Sequence, residues 1–356
     1  MRRRRPVLLV LAVLAAALVG ARLYLPIAVR DHIDGVLERN GAYTGRVADV
    51  DLALWRGGGE IRGLEIVKRN GEVPVPLVAV PKASGSLRWG ALLRHGALVL
   101  DARVESPEIH LVSAPTAEQR QTGEGGRWQE TLEALTPIRV DRVTVRDGRA
   151  HFHDFHSDPR IDVQLSDLSL VAENLAALRD AGEPLPAHAR LEATPMTAGR
   201  LTVTADLDPR APLPRFEAEA ELTGMELVPW NDLLRAYAGF DAEAGTIALF
   251  AEVEAREGHV EGYLKPFVEG LEIVDPEPEA EQQSALQSAW EALVGATAEV
   301  LEDQPTERLA TRVPISGSVE RPEAEFWPAF ANLLRNAFVE AFAPRLEGAR
   351  RAGGAR

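Results

Sequence analysis

The chain of 356 residues has no cysteine. Thiol catalysis, thiolate metal sites and disulfides are excluded, and so is membrane attachment through an acylated cysteine. Aromatic residues make up only 6% of the chain, so apolar surface has to come mostly from Ala, Val and Leu. An excess of basic charge is also missing. The formal net charge is −15, which removes bulk attraction to phosphate, makes nucleic acid a poor partner and argues against adhesion to an anionic membrane surface by charge. No Gly-x-Ser-x-Gly is present, so a serine hydrolase has no support. Gly57-Gly58-Gly59 is not followed by Lys-Ser/Thr and reads as a hairpin turn, not a phosphate cradle. Glu217, Glu219 and Glu221 alternate on one strand face and read as a solvated face.

One long apolar run is present, at the N-terminus. Arg2, Arg3, Arg4 and Arg5 precede an uncharged segment, Pro6 to Ala21, which Leu23, Tyr24, Leu25 and Ile27 continue past a single Arg22. Basic residues beside a hydrophobic segment hold that end in the cytoplasm. A cleavable signal would use Val7 to Leu18 as its core and Val19-Gly20-Ala21 as its exit. A spanning helix needs about 20 mostly apolar residues, which Val7 to Ile27 supplies. The length favours a retained single-pass anchor, with the bulk of the chain outside the cytoplasm.

Beyond Gly41 the hydrophobic period changes from helical to two. Val50, Leu52 and Leu54 alternate with acidic or small residues, and the same alternation recurs over Ile61–Val67, Gly85–Trp89, Leu98–Val104 and Ile109–Leu111. It resumes over Arg139–Val145, Arg149–Phe155 and Ile161–Val171, with Asp147-Gly148 as a two-residue hairpin signal. Further strands are expected at Ala187–Ala193, Leu201–Leu207, Phe216–Leu222, Ile247–Val253, Val260–Leu264 and Arg312–Val319. A short helix is expected at Pro229–Tyr237. The fold class is thus mainly β with accessory helices: a transmembrane helix, then an elongated, curved, largely antiparallel sheet forming an open groove, then amphipathic C-terminal helices. About fourteen strands are expected, spanning about 65 Å if each takes its own place in one sheet. No strict sequence period appears, so the hairpins repeat a pattern and not a residue motif. The expected divisions are a basic stub (1–5), the anchor (6–28), an N-terminal β region (29–112), a loop and short helix (113–136), a central β region (137–274), an acidic linker with an amphipathic helix (275–304), a final strand and helix (305–344) and a basic tail (345–356).

The strands carry small aliphatic residues where a thick core would need large ones. Leu201, Val203, Ala218, Ala220, Leu249, Ala251 and Leu264 are the expected lining of a trough suited to acyl chains. Alternation alone cannot distinguish such a trough from a packed interior. In the last helix Phe330, Leu334, Phe338 and Phe342 offer an aromatic stripe that could pack on the sheet, meet a partner or touch the bilayer. His151-Phe-His153-Asp154-Phe-His156 is the one metal-like cluster. On a strand His151 and His153 share a face while Asp154 points away. No distant partner stands out, a metal site needs three or four convergent ligands, and no cofactor or metal is expected.

Several segments resemble a known family. They are Ile138-Arg-Val-Asp-Arg-Val-Thr-Val-Arg-Asp-Gly148 running into Phe152-His-Asp154, Val163-Gln-Leu-Ser-Asp-Leu-Ser-Leu170 with Asn174-Leu175, and Tyr237-Ala-Gly-Phe-Asp241 with Gly245. Glu261-Gly-Tyr-Leu-Lys-Pro266, Arg312-Val-Pro-Ile-Ser-Gly317 and Asn336-Ala-Phe-Val-Glu-Ala-Phe-Ala-Pro344 complete the set. With the N-terminal anchor, they resemble the AsmA-like envelope proteins, in the branch carrying the domain of unknown function numbered 748. The resemblance implies a non-enzymatic inner-membrane protein, facing the periplasm, that shields or transfers phospholipid acyl chains in a β-groove and supports outer-membrane integrity. A scaffold docking an envelope partner protein through its C-terminal helices is the second reading, and a metal-dependent hydrolase at His151/His153 the third.

Overall fold

The computed structural model describes residues 4–274, except 54–56, 70, 97–98, 124, 127, 129–130, 132–133, 135–138, 177–181, 197, 212 and 239–240, together with 309–310 and 313–318. The chain is mainly β and builds one large curved sheet. Its strands are β1 (Tyr43–Ala53), β2 (Gly58–Lys68), β3 (Val78–Leu87), β4 (Val99–Glu105), β5 (Glu108–Ser113), β6 (Arg139–Asp154), β7 (Ile161–Glu173), β8 (Ala187–Pro195), β9 (Arg200–Leu207), β10 (Phe216–Glu226), β11 (Asp241–Arg256), β12 (His259–Val274), β13 (Leu309–Ala310) and β14 (Val313–Ser318). Among the described residues three helices accompany them: α1 (Arg4–Leu37), α2 (Trp89–His95) and α3 (Asn231–Ala238), the last led by a 3-10 turn at Val228–Trp230 that holds the expected Pro229.

Strand order follows the sequence with two exceptions. β4 and β5 both lie between β3 and β6, and β13 and β14 both pair with β12. The sheet therefore has twelve places instead of fourteen, and its breadth is about 50 Å instead of 65. Pairing is antiparallel except where β6 meets β4 and β5. The long 114–138 connection allows the crossover that a parallel pair needs.

The expected hairpin at Asp147-Gly148 is overturned. β6 runs unbroken from Arg139 to Asp154, and the register against β7 shifts between Val145 and Gly148. Of the two, Asp147 alone has positive φ (54°), whereas the type I′ hairpin turn that Asp-Gly favours needs both. The dipeptide forms a bulge, one extra residue that reverses which positions face which side. Similar residues interrupt other strands. Asp167 (φ 51°) sits in β7, Gly224 (φ 65°) in β10, Gly245 (φ 132°) in β11 and Gly270 (φ 59°) in β12, while Ser106 (φ 51°) separates β4 from β5. The hydrophobic pattern reverses parity at the same places. Val143 and Val145 give way to Ala150 and Phe152, Val163 and Leu165 to Leu170 and Ala172, and Ala218 and Ala220 to Met225 and Leu227. The interruption and the pattern cancel, so the apolar face stays on one side.

Trp89 does not extend a strand, as its alternation with Leu87 suggested. It opens α2, which ends at Gly96 in the left-handed conformation (φ 66°), its N–H donating to the Leu92 carbonyl. Among the described residues, the one two-residue turn with both residues at positive φ is Glu257-Gly258 (φ 52° and 81°), which joins β11 to β12. Those strands run sixteen residues each, well beyond the expected spans.

Among the described residues, three clusters of buried apolar side chains stand out. At one end Ile33 and Leu37 of α1 pack on Tyr43, Val47 and Val50 of β1 with Ile66 of β2. The Asp34 carboxylate accepts the Val47 N–H at 2.7 Å. At the other end Val253, Ala255, Val260, Leu264 and Ile315 form a second cluster. The third lies where Leu234 of α3 covers Met225, Leu227, Ala242 and Ile247. One buried charge is conspicuous: Asp141 is only 1% exposed and pairs with the Arg88 guanidinium.

Among the described residues, no helix is long and apolar enough to cross a membrane. The expected anchor falls mostly on positions whose side chains are not described (residues 4–19 and 21), and Arg2 and Arg3 lie outside the described residues. The amphipathic helices expected within 275–304 and after the final strand in 305–344 also lie outside them.

Two outcomes follow. Gly245→Val forces a branched side chain onto positive φ, with its Cβ 3.1 Å from Leu271 Cα. It is expected to cost about 2 kcal/mol in urea unfolding. Arg88→Met strands the buried Asp141 carboxylate and is expected to cost about 3 kcal/mol in the same measurement, largely recovered by adding Asp141→Asn.

Candidate functional site

Backbone pairing shows what the strand pattern amounts to. Starting at β1, Val50 pairs with Ile61, Ile61 with Ala83, Ala83 with Val104, Val104 with Val145 and Val145 with Leu170. The row continues from Leu170 to Leu191, Val203, Ala220, Ala251, Leu264 and Val313. Twelve successive partners are aliphatic, with no polar residue between them. A second row two residues along runs Leu52, Gly59, Gly85, Ala102, Val143, Ala172 and then Ala189, Ala205, Ala218, Val253, Gly262, Ile315. Every member is Gly, Ala, Val, Leu or Ile.

The row between them on the opposite face has the contrary character. Asp51, Glu60, Ser84, Arg103 and Thr144 lead to Val171, Arg190, Thr204, Glu219 and Glu252. Ion pairs such as Arg190–Glu192 (2.7 Å) and Lys82–Glu105 (3.2 Å) lie on this exposed side and contribute little to stability.

All seven expected lining residues share the apolar face: Leu201, Val203, Ala218, Ala220, Leu249, Ala251 and Leu264 occupy the two rows or the next one, Leu201–Leu222–Leu249. They are not equivalent. Leu264 belongs to the buried cluster at the far end, with Leu249 and Ala251 packed against it. Leu201, Val203, Ala218 and Ala220 are half-buried. So are Ala83, Val104, Val145, Leu170 and Leu191 in the middle of the sheet, where the described residues supply no buried cluster. The pattern had pointed only to β9–β12, whereas the register extends the same lining back to β1. Phe330, Leu334, Phe338 and Phe342 lie outside the described residues.

The polar face carries a second feature. His151 and His153 share it, as alternation required, and Asp154 faces away, where its carboxylate accepts the N–H groups of His156 (2.9 Å) and Ser157 (3.1 Å) in a turn. The expectation that no distant partner joins them is overturned. Parallel pairing of β5 with β6 sets His110 directly against His151. The ligating nitrogens of His110, His151 and His153 all lie within 4.8 Å of one another. His110 Nδ1 is 3.1 Å from His153 Nε2. Asp162, opposite His153 on β7, places Oδ1 3.3 Å from Nδ1 of both His151 and His153. The three imidazoles are stacked with interplanar angles of 6° to 17°, and Phe155 extends the stack beyond His153.

Burial is the chief reason that His110 and His153 have pKa values below the usual 6.5. Proximity of the other histidines adds to it, and the Asp162 carboxylate opposes it at both; Glu108 opposes it at His110. Glu108 is itself engaged by Arg149 at 2.7 Å. The unfolded chain therefore binds more protons than the folded one as pH falls through 6.5. Stability, full above that value, is expected to decline below it and level off beneath the lowered values. Thermal unfolding in chelator between pH 7.5 and 5.0 checks this: the decline should flatten in His110→Gln/His153→Gln.

Comparison with known proteins assigns no family: no protein-family model matches the chain, and no curated protein matches it.

Proposed function

We propose that this chain is a non-enzymatic, AsmA-like periplasmic protein, held in the inner membrane by α1, whose curved sheet shields or transfers phospholipid acyl chains and so supports the outer membrane. The observation that carries the reading is the unbroken aliphatic row across twelve places of the sheet. A hydrocarbon chain needs no hydrogen-bonding partner. What it needs is continuity, because one polar side chain in its path would be desolvated without compensation. Small residues on the floor leave room for a chain to lie along it.

The magnitudes are consistent. Each methylene withdrawn from water contributes about 0.8 kcal/mol, so an acyl chain of ordinary length is held by on the order of 10 kcal/mol relative to water. Relative to a bilayer the exchange is nearly neutral, which is what loading and release require. Binding of this kind calls for no catalytic group.

Membrane attachment has its own support. Just past the uncharged run, Leu23, Tyr24 and Ile27 are largely exposed on α1. Arg22 there pairs with Asp51 and donates to the Leu52 carbonyl near the end of β1. Trp89 and Leu93 of α2 are also exposed, Leu93 by 85%, and a Cβ on Gly57, just before β2, would lie 2.8 Å from the Trp89 ring. Exposed apolar and aromatic side chains thus gather where α1 meets the sheet, in keeping with an interface belt. Four arginines ahead of the run set the N-terminus in the cytoplasm.

The full-length chain, extracted in mild detergent, is expected to co-purify with phospholipid detectable by mass spectrometry. Leu191→Asp with Ala220→Asp should reduce the lipid recovered per chain several-fold while circular dichroism stays β-rich. Lipid-free protein, or equal lipid on the doubly charged variant, would overturn the reading.

A further inference from the structure

We propose that His110, His151 and His153, with the Asp162 carboxylate, form a binding site for a divalent transition-metal ion of the zinc class on the polar face of the sheet. The site goes beyond the lipid reading and does not depend on it. It uses the opposite face of β5, β6 and β7 from the one that bears Leu111, Phe152 and Val163.

Its basis is a strand arrangement well suited to gathering imidazoles. Two histidines at i and i+2 on one strand point the same way, and a third directly opposite on the neighbouring strand joins them. Zinc binds histidine nitrogen at about 2.0–2.1 Å, so nitrogens around a tetrahedral ion sit about 3.4 Å apart. The His110 Nδ1 to His153 Nε2 separation of 3.1 Å is already close to that. The widest separation in the trio, under 4.8 Å, needs only rotation of side chains that now lie nearly parallel. Asp162 Oδ1, equidistant at 3.3 Å from two of the rings, can serve as fourth ligand or as the carboxylate that orients them. The donor set is nitrogen and oxygen with no thiolate, which suits zinc, cobalt or nickel over softer ions.

The fold adds a reason for a clasp here. At this place β5 pairs in parallel with β6, just past the interruptions at Ser106 and Asp147 where the ladder is locally broken. An ion held by one ligand from β5, two from β6 and one from β7 would tie three strands together across that weakness. Because the set can close around the ion, the inferred role is structural.

The test uses the untagged full-length chain in detergent, stripped with chelator and desalted. Titration with zinc chloride by calorimetry is expected to show one ion per chain and a raised unfolding temperature, and cobalt should give the visible absorption of a tetrahedral nitrogen–oxygen site. His110→Gln is expected to weaken binding at least 100-fold, and Asp162→Asn, at an exposed position that folding tolerates, about tenfold or more. His188→Gln, which removes a surface histidine 2.6 Å from Asp206, should leave binding unchanged. Absence of saturable binding, or binding that survives His110→Gln, would overturn the site and leave the cluster as a hydrogen-bonded imidazole stack.

Discussion

Everything in this molecule depends on one constraint of the pleated sheet: a side chain on a strand faces one way or the other, and its cross-strand partners face the same way. A single strand with alternating character is ordinary. Here twelve places of one sheet keep the same parity in register, so that Val50 on β1 and Leu264 on β12 lie on one continuous surface. A slip of one residue anywhere would set a charged row such as Glu219–Glu252 into that surface. The interruptions at Asp147, Asp167, Gly224, Gly245 and Gly270 add a residue to bend the strand, and each is matched by a reversal in the sequence pattern.

This explains which parts were legible in the sequence. Alternation revealed the strands and the apolar identity of Leu201, Val203, Ala218 and Ala220, because period-two patterning is local. Asp147-Gly148 was misleading, since the same dipeptide serves a hairpin or a bulge. The difference lies in φ at the second residue, which no local pattern specifies. The parity reversal from Val145 to Ala150 was nonetheless a usable signal: a true hairpin would leave no reason for the apolar residues to keep to one face of a continuous strand. Trp89 misled for a related reason, as its spacing from Leu87 fits both the end of a strand and the first turn of a helix stopped by Gly96. His110 could not be found by local reading at all. It joins His151 through a parallel pairing across a separation of some forty residues, and parallel partners are not joined by a tight turn that would announce them.

The two faces of the sheet are free to do different work because alternation separates them chemically. In β6 the succession Ala150, His151, Phe152, His153 assigns apolar residues and histidines to opposite sides within four positions. A ligand on one side cannot interfere with the other except through the backbone between them. The ends differ again. Ile33 and Leu37 of α1 seal β1, while Leu234 of α3 covers Met225 and Ile247. The clusters that α1 and α3 cover bury large residues such as Tyr43, Leu37 and Ile247, while in the middle Val99, Val112 and Ile161 are buried outside those clusters and the central members of the aliphatic row are half-buried.

That distribution has a consequence for the proposed lipid function. A surface built from Ala, Val and Gly gains less from being covered than one built from Leu and Phe, because each side chain removes less area from water. The low aromatic content acts in the same direction as the half-buried middle: the energetic drive to close the sheet on itself or to recruit a protein layer is modest, while an acyl chain, which adds its own apolar area, would supply what the floor lacks. The breadth of about 50 Å sets the remaining limit. It exceeds the length of a single extended acyl chain, so a lipid would occupy only part of the row at a time, and between the covered ends the half-buried positions from Ala83 to Ala220 are all aliphatic. On the proposed reading a bound chain would move stepwise from one strand to the next, and the uniformity of the lining there, not the strength of any one contact, would permit transfer.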